Sequence, residues 1–248
     1  MIYIKSKSEI KLMRAAGRVT AGVLKEIEKY IKPGITTKEL DEIAEDYIRR
    51  NDCIPAFKGL YGFPASICAS VNCEVVHGIP NSRKLQEGDI VGIDTGAIYH
   101  GFNGDAARTF PVGKISEEAQ RLIDVTKQSF FEGIKKAKAG YRLSDISNAI
   151  QTYVENNGFS VVREYVGHGI GRKMHEDPQI PNFGPPGRGP KLKNGMTLAI
   201  EPMINAGDYH VKVMDNEWTV VTLDGSLSAH YENTILITDN EPEILTVI

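Results

Sequence analysis

Cysteine is scarce in this sequence. Cys53, Cys68 and Cys73 are an odd number, and no two of them form a C-x-x-C pair. That excludes a disulfide frame and a thiolate zinc knuckle and leaves reduced thiols, as in a cytosolic protein. Long apolar runs are missing as well, with nothing near the ~18 apolar residues needed to span a membrane. The opening Met1-Ile2-Tyr3-Ile4-Lys5 reaches a capping serine before any signal-peptide apolar region can form. An excess of one charge is also absent, since a net charge of −3 offers nothing to nucleic acid or an anionic membrane. What remains is 248 residues, 41% hydrophobic and 25% charged, an ordinary globular composition on a chain long enough to bury a sizeable core. The expectation is a soluble, cytoplasmic protein.

Two capping boxes stand out. Ser6-Lys7-Ser8-Glu9 opens a helix carrying Ile10, Met13, Gly17, Thr20, Leu24, Ile27 and Ile31 at helical spacing, which Lys32-Pro33-Gly34 stops. Thr36-Thr37-Lys38-Glu39 opens a second, with Leu40, Ile43, Ala44, Tyr47 and Ile48 on one face and Asn51-Asp52 at its end. The arrangement then returns. Ser116 opens a helix with Ala119, Leu122, Ile123, Thr126, Phe130 and Ile134, ended by Lys138-Ala139-Gly140; a shorter one carries Ile146, Ala149, Ile150, Tyr153 and Val154. A shift of 106 residues places Lys32 on Lys138, Gly34 on Gly140, Leu40 on Ile146, Tyr47 on Tyr153 and Asn51 on Asn157. Amphipathic helix pairs align somewhere by chance, so this stretch alone carries little specificity.

A second stretch carries more. Lys84 to Asp94 aligns with Lys191 to Glu201 at a shift of 107, with Lys, Leu, Gly and Ile repeated in place and an acid ending each run. Both read as a turn feeding a buried strand. The fold class expected is α+β, a pseudo-twofold repeat of a helix pair plus antiparallel strands, with a site on the axis between the halves. The reading is a single domain over 1–248, with halves of 1–112 and 113–248. A two-domain chain would need a linker near residue 112, where only Pro111-Val112-Gly113 stands.

Four acids need explaining. Asp94 lies mid-strand in Gly92-Ile93-Asp94-Thr95-Gly96-Ala97, and Asp105 follows what reads as a turn, Gly101-Phe102-Asn103-Gly104. A hairpin turning near Tyr99-His100 would bring the two close to opposite each other, where like charges ~5 Å apart at Cβ destabilise a sheet unless something neutralises them. Asp105 could be a turn residue; Asp94, in an apolar run, suits that reading poorly. Glu201 ends the apolar run Thr197-Leu198-Ala199-Ile200, and Glu232 enters another. Only Arg108 lies nearby as a counter-charge, and four buried carboxylates without cations would be expensive. Gly167-His168-Gly169-Ile170-Gly171 adds an imidazole between glycines that let other atoms approach. A lone histidine is more often structural, but together the five suit two octahedral or five-coordinate divalent ions. The oxygen-rich set favours manganese, iron or cobalt. Such a pair holds a bridging water and clamps a tetrahedral intermediate, so metal-assisted hydrolysis follows as the reaction class.

These residues and their surroundings resemble the methionine aminopeptidases of peptidase family M24, whose architecture is the pita-bread (creatinase/aminopeptidase) fold. The matching stretches are Val75-Val76-His77-Gly78-Ile79-Pro80, Asp94-Thr95-Gly96, Asn103-Gly104-Asp105-Ala106-Ala107, Gly167-His168-Gly169-Ile170-Gly171, His175-Glu176-Asp177-Pro178, Ala199-Ile200-Glu201-Pro202 and Tyr231-Glu232-Asn233-Thr234. They span essentially the whole chain. The resemblance implies two divalent ions (cobalt, manganese or iron, with zinc or nickel as alternatives) held by Asp94, Asp105, His168, Glu201 and Glu232. Asp105 and Glu232 would bridge them, and Glu201 would act as base toward the attacking water. It also implies His77 near the scissile amide nitrogen and His175 at the oxyanion, both catalytic and substrate-binding. Taken alone, His77 would read as a loop residue and His175 as a helix-cap partner. Glu176 is an acid of the same loop outside the ligand set.

The subclass implied is the short bacterial type I form. Only 33 residues separate His168 from Glu201, leaving no room for the type II helical insertion, and no zinc-binding extension precedes Ser6. Prolidases and Xaa-Pro peptidases share the fold but carry a separate N-terminal domain. Phe63, Cys68 and Trp218 fall at substrate-binding positions that line the methionine pocket in similar enzymes; Phe63 replaces a tyrosine, Phe57 stands where some relatives carry cysteine, and Leu60 and Met174 replace aromatics, with plain core packing as the alternative reading of each. All are apolar, which suits a thioether. The implied protein is a cytoplasmic monomer acting on the N-termini of nascent polypeptides, with the ribosome as a candidate docking partner and neither nucleic acid nor membrane as a ligand. The competing class is a pita-bread protein that has lost catalysis and serves as a binding module.

Overall fold

A computed structural model describes residues 1–247. α1 (Lys7–Glu28) and α2 (Thr37–Arg50) begin as their capping boxes require. The Ser6 hydroxyl accepts from Glu9 N–H while Glu9 carboxylate takes Ser6 N–H, and Thr36 and Glu39 do the same. Each box satisfies N–H groups that a helix start leaves unpaired. α3 (Glu117–Ile134), opened by Ser116, and α4 (Leu143–Asn156) repeat the pair. Both long helices stop about a turn before the expected Lys-Pro-Gly and Lys-Ala-Gly ends. Tyr30 N–H bonds Ile27 O and Ala137 N–H bonds Ile134 O, three residues back, so the last turn tightens and turns the chain away. Ile31 still packs on the core, from the loop.

Five strands follow α2: β1 (Ile54–Pro55), β2 (Ile67–Val71), β3 (Glu74–Val76), β4 (Ile90–Tyr99) and β5 (Phe102–Pro111). Ten follow α4: β6 (Ser160–Val161), β7 (Gly167–Gly169), β8 (Glu176–Ile180), β9 (Thr197–Ile200), β10 (Met203–Asn205), β11 (Val211–Val213), β12 (Val220–Thr222), β13 (Ser228–His230), β14 (Asn233–Leu236) and β15 (Glu243–Ile244). β4 pairs with β1, β2 and β5; the second large sheet runs β15-β14-β9-β7-β8, and β13-β10-β6 and β11-β12-β3 are smaller. All named strand pairs are antiparallel.

The repeat extends to individual hydrogen bonds. Gly34 N–H donates to Leu85 O at 2.8 Å, and Gly140 N–H to Leu192 O at 3.0 Å. Asn51 and Asn157 each give their Nδ2 to the carbonyl four residues back, Tyr47 and Tyr153, at 2.8 Å. Isolated bridges join Thr36 to Lys84 and Arg142 to Lys191. Each half also has its own helix-on-sheet core. Val23, Ile27, Leu40 and Ile48 pack with Ile67, Val91 and Ile93, while Leu122, Phe130, Ile146 and Ile150 pack with Leu198, Ile204 and Ile235. Each such side chain contributes ~1.5–3 kcal/mol when fully buried.

One expected turn is a strand. The β4–β5 connection is His100-Gly101 alone, at φ 46° and 79°, the positive pair that suits the twist of a two-residue hairpin. Asn103, Gly104 and Asp105 are therefore paired in β5. Gly104 is a glycine because α1 presses on it: a Cβ there would stand 2.8 Å from Gly17 N. The halves meet where Glu232 N–H donates to Ala107 O at 2.9 Å and Asp105 N–H to Thr234 Oγ1 at 3.0 Å. Among the described residues no helix is long and apolar enough to cross a membrane.

Candidate metal centre

The acids converge on that seam. Asp94 pairs with Ala107 and Asp105 with Gly96, so the two are not directly opposite. The turn falls one residue later than Tyr99-His100, which slides the register by two and leaves them diagonal on one face. Glu201 leaves β9 and Glu232 enters β14 just beyond the Ile200–Asn233 pair, which brings both carboxylates to the same end of the sheet. His168 pairs with Ala199 across β7 and β9. Its flanking glycines are there for strand approach: a Cβ on Gly167 would stand 2.4 Å from Ala199 O, and one on Gly169 2.1 Å from Asp177 O.

His168 Nε2 lies 3.7 Å from Asp105 Oδ2 and 3.5 Å from Glu201 Oε1. One ligand atom each of Asp105, His168 and Glu232 fall within 4.8 Å of one another. Asp105 and Glu232 are the deepest acids, 4% and 2% exposed. Asp94 and Glu201 open partly toward the cavity. Burial raises Asp94 to about 7. Burial first, then the neighbouring negative charges, lifts Asp105, Glu201 and Glu232 well above the usual carboxylate range. Burial, with His175 beside it, pushes His168 down to about 4.

Among the described residues no lysine or arginine forms an ion pair with this cluster, and the one nearby charge, Arg108, eases Glu232 only from a distance. Arg108, expected as the counter-charge, instead gives Nη1 to the carbonyls of Ala107 and Glu232 and Nη2 to Asn233 Oδ1, and lies 4.0 Å over the Tyr231 ring. Asp94 Oδ1, Asp105 Oδ1 and Glu232 Oε1 are buried without a hydrogen-bond partner. Orphaned buried carboxylate oxygens cost several kcal/mol unless a cation meets them. The donors are oxygens with one imidazole; the nearby Cys68 thiol is pushed well up by burial and by Asp94, so it stays protonated. The set fits a hard or borderline divalent ion.

A cavity of about 1000 Å³ opens onto the cluster, lined in part by His77, Asp94, His168, His175 and Glu201. His175 is not a helix cap: it precedes β8, with its ring 4.5 Å from the His168 ring and stacked on Tyr61 at 5.9 Å. His77 sits just past β3 at φ 59° and meets Tyr165 edge-on. Burial lowers both imidazoles, His77 to about 4, so each is neutral at pH 7 and keeps one N–H donor. Phe63, Cys68 and Trp218 share an apolar cluster with Phe57, Leu60 and Met174, with Phe63 and Trp218 in edge contact at 5.1 Å. These three do not line the cavity itself. The cluster abuts the acids because Cys68 pairs with Asp94 across β2 and β4.

Two residues of the site were not singled out in the sequence. His230 Nε2 is buried without a partner, 3.8 Å from Glu201 Oε2 and 4.0 Å from Glu232 Oε2. The two-residue spacing from Glu232 could have shown it, since alternate residues of an extended segment share a face. Glu176, a bystander acid in sequence, is buried against Lys5 at 2.6 Å; nothing in the local pattern links positions so far apart.

The profile of metallopeptidase family M24 matches residues 11–239. A methionine aminopeptidase of Clostridium perfringens is 62% identical over 248 residues, covering all of both chains. The crystal structure of methionine aminopeptidase from Thermotoga maritima matches with a TM-score of 0.99 and 50% identity, over 100% of each chain. The prolidase from Pyrococcus furiosus, 22% identical, shares the fold at a TM-score of 0.78, over 99% of this chain and 65% of its own.

Proposed function

We propose that this chain, which belongs to metallopeptidase family M24 and has the pita-bread fold, removes the N-terminal methionine from new polypeptides whose second residue is small and uncharged. The observation that carries this reading is the cluster of four carboxylates around His168, with orphaned oxygens and, among the described residues, no lysine or arginine paired to it, at the edge of an open cavity.

Asp94, Asp105, His168, Glu201 and Glu232 would hold two divalent cations, cobalt, manganese or iron, with zinc or nickel as alternatives. Asp105 and Glu232, the deepest of the set, would each hold both ions. Bound there, the ions supply Lewis-acid activation of water and of the scissile carbonyl. Glu201, which faces the cavity, takes the proton from the attacking water. His175 turns its N–H to the oxyanion as it develops, and His77 holds the scissile amide nitrogen. The Phe63, Cys68 and Trp218 cluster receives the methionine thioether, whose flexibility and polarisability suit an aromatic and thiol lining. All five ligands come from one chain, which supports a monomer as the working unit. Action on nascent chains points to the cytoplasm and to the neighbourhood of the ribosome. A catalytically dead binding module would have no reason to keep the full ligand set and both accessory histidines.

The test is Glu232→Ala. It should release at least one metal equivalent, measured by elemental analysis, and abolish hydrolysis of Met-Ala-Ser, because the carboxylate that would hold both ions is gone. Glu42→Ala, at an exposed acid of α2, is the control. Full activity and unchanged metal content in the Glu232 variant would sink the reading.

A further inference from the structure

Lys5 lies outside the proposed catalytic set, yet it lines the same cavity as His175. Its Nζ stands 2.6 Å from Glu176 Oε2, and the two side chains are only 6% and 7% exposed. A buried ion pair costs desolvation of both partners and persists where its geometry is held from several sides. This one is. Lys5 N–H donates to Gly195 O at 2.9 Å. The Lys173 N–H donates to Glu176 Oε1 at 3.2 Å. A Cβ on Gly171 would stand 2.5 Å from Lys5 Cε and 2.7 Å from Glu176 Oε1, so the pair fills the space that a side chain there would need.

His175 is the residue before Glu176, and the segment from Gly171 to His175 has no helix or strand of its own. Its ring touches His168 and the largely exposed Tyr61, neither of which is a rigid clamp on its backbone. The stretch is held at its ends, where Asn103 Nδ2 donates to the Gly171 and Arg172 carbonyls and Glu176 opens β8 opposite Gly169; the buried side-chain tie next to His175 is that of Glu176 to a lysine 171 residues away in sequence.

We propose that Lys5 is a positioning residue: its buried ion pair with Glu176 fixes the backbone that carries His175, and so aims that imidazole into the cleft. The proposal rests on the oxyanion role given to His175 above. Removing the ammonium leaves the buried Glu176 carboxylate without its counter-charge, with only the Lys173 N–H still on it; it turns toward water and draws the 171–176 segment with it. A displacement of about 1 Å at a group acting in the transition state lowers turnover by roughly 10- to 100-fold without weakening ground-state binding.

The experiment measures kcat, KM and metal content on Met-Ala-Ser for Lys5→Met, Lys5→Arg and Glu176→Gln, each in the wild-type and in the His175→Ala background. The expected result is a fall in kcat of roughly 10- to 100-fold for Lys5→Met and Glu176→Gln, with KM and metal content unchanged, and substantial retention of activity by Lys5→Arg. In the His175→Ala background the same two changes should have no further effect, because the group they aim is gone. In the metal-free protein, the His175 ring resonance should shift or broaden in Lys5→Met. The two routes of breaking the pair keep the test alive if one variant fails to fold. Equal losses in both backgrounds would overturn the proposal and leave Lys5 a stabilising residue only. Full activity of His175→Ala by itself would overturn the role of His175 and the proposal with it.

Discussion

Asp94 and Asp105 are diagonal neighbours on one face of the β4–β5 hairpin, Asp94 paired with Ala107 and Asp105 with Gly96. Diagonal side chains in a sheet stand ~7–8 Å apart at the backbone, within reach of each other across the gap. Two carboxylates so placed can share an ion between them, and without one each makes the other harder to ionise. The hairpin is therefore most strained, electrostatically, when the site is stripped.

The metal-free protein should become more stable as the pH falls from about 8.5 to 6.5. Folding raises Asp94 to about 7, mainly by burial, and lifts Asp105, Glu201 and Glu232 well above the usual carboxylate range by burial and neighbouring negative charge. Unfolded carboxylates titrate near 4, so in this window the folded chain holds protons that the unfolded chain has lost. Stability then falls as pH rises, by about 1.36 kcal/mol per pH unit for each extra proton held. The buried histidines act with the opposite sign. Burial lowers His168 to about 4 and His230 to about 3, so each costs stability only as pH drops below ~6.5, where the unfolded imidazole gains a proton. Loaded metal, which requires ionised carboxylates, should remove the gain. Thermal melts with and without chelator decide it; a metal-free Tm that rises with pH across the window contradicts the account.

His168→Ala and His175→Ala should separate ligand from accessory group, though their rings lie only 4.5 Å apart. Loss of the oxyanion donor costs roughly 10²–10³ in kcat and leaves metal affinity nearly intact. His168→Ala should lose metal as well as turnover. Equal metal loss in the two variants would show that His175 has been assigned wrongly.

Gly17→Ala should destabilise the protein, against the usual helix rule. In an exposed helix interior that change gains about 1 kcal/mol. Here a Cβ would lie 2.3 Å from Leu245 O and 2.7 Å from Leu245 C, so α1 would have to back away from β5 and the C-terminal segment. The expected loss is roughly 1–3 kcal/mol, the cost of overpacking, measured as a shift in urea midpoint. An unchanged or raised midpoint would mean that the contact yields freely.

The helix pairs, their caps and the order of the acids could all be read from the chain because each rests on local chemistry. Ser6, Thr36 and Ser116 announce helix starts within four residues, and the period of the apolar positions follows at once. The hairpin register could not be read in the same way. Gly104 looks like turn material until α1 is seen to press on it, and that contact joins residues 17 and 104. The roles of Arg108 and Glu176 were hidden for the same reason: one bonds Glu232 O and Asn233 Oδ1 of the other half, the other meets Lys5 at the far end of the sequence. His230 was legible in principle, two residues from Glu232, but in sequence a histidine beside a stronger acid motif draws no notice.

Substrate choice should follow the geometry of the rim. With methionine placed in the apolar cluster beside the acids, as proposed, the second residue would sit against the loops that carry His77 and His175, both of which line the cavity. Bulk on that residue is expected to clash with the two imidazoles. Hydrolysis is expected for Met followed by Gly, Ala, Ser, Thr, Cys, Pro or Val, and not for Met followed by Lys, Glu or Phe. At the first position the Phe63–Trp218 edge contact and the Cys68 thiol offer a thioether closer packing than a branched side chain can reach. A mismatch of about one methylene is worth ~1–3 kcal/mol, which predicts Leu-Ala-Ser cleaved roughly 10- to 200-fold more slowly than Met-Ala-Ser and not refused. The discriminating pair is Met-Ala-Ser against Met-Lys-Ser with manganese, iron and cobalt supplied separately. Equal rates on those two peptides would show that the His77 and His175 loops do not restrict the second residue, and would make the chain a general aminopeptidase.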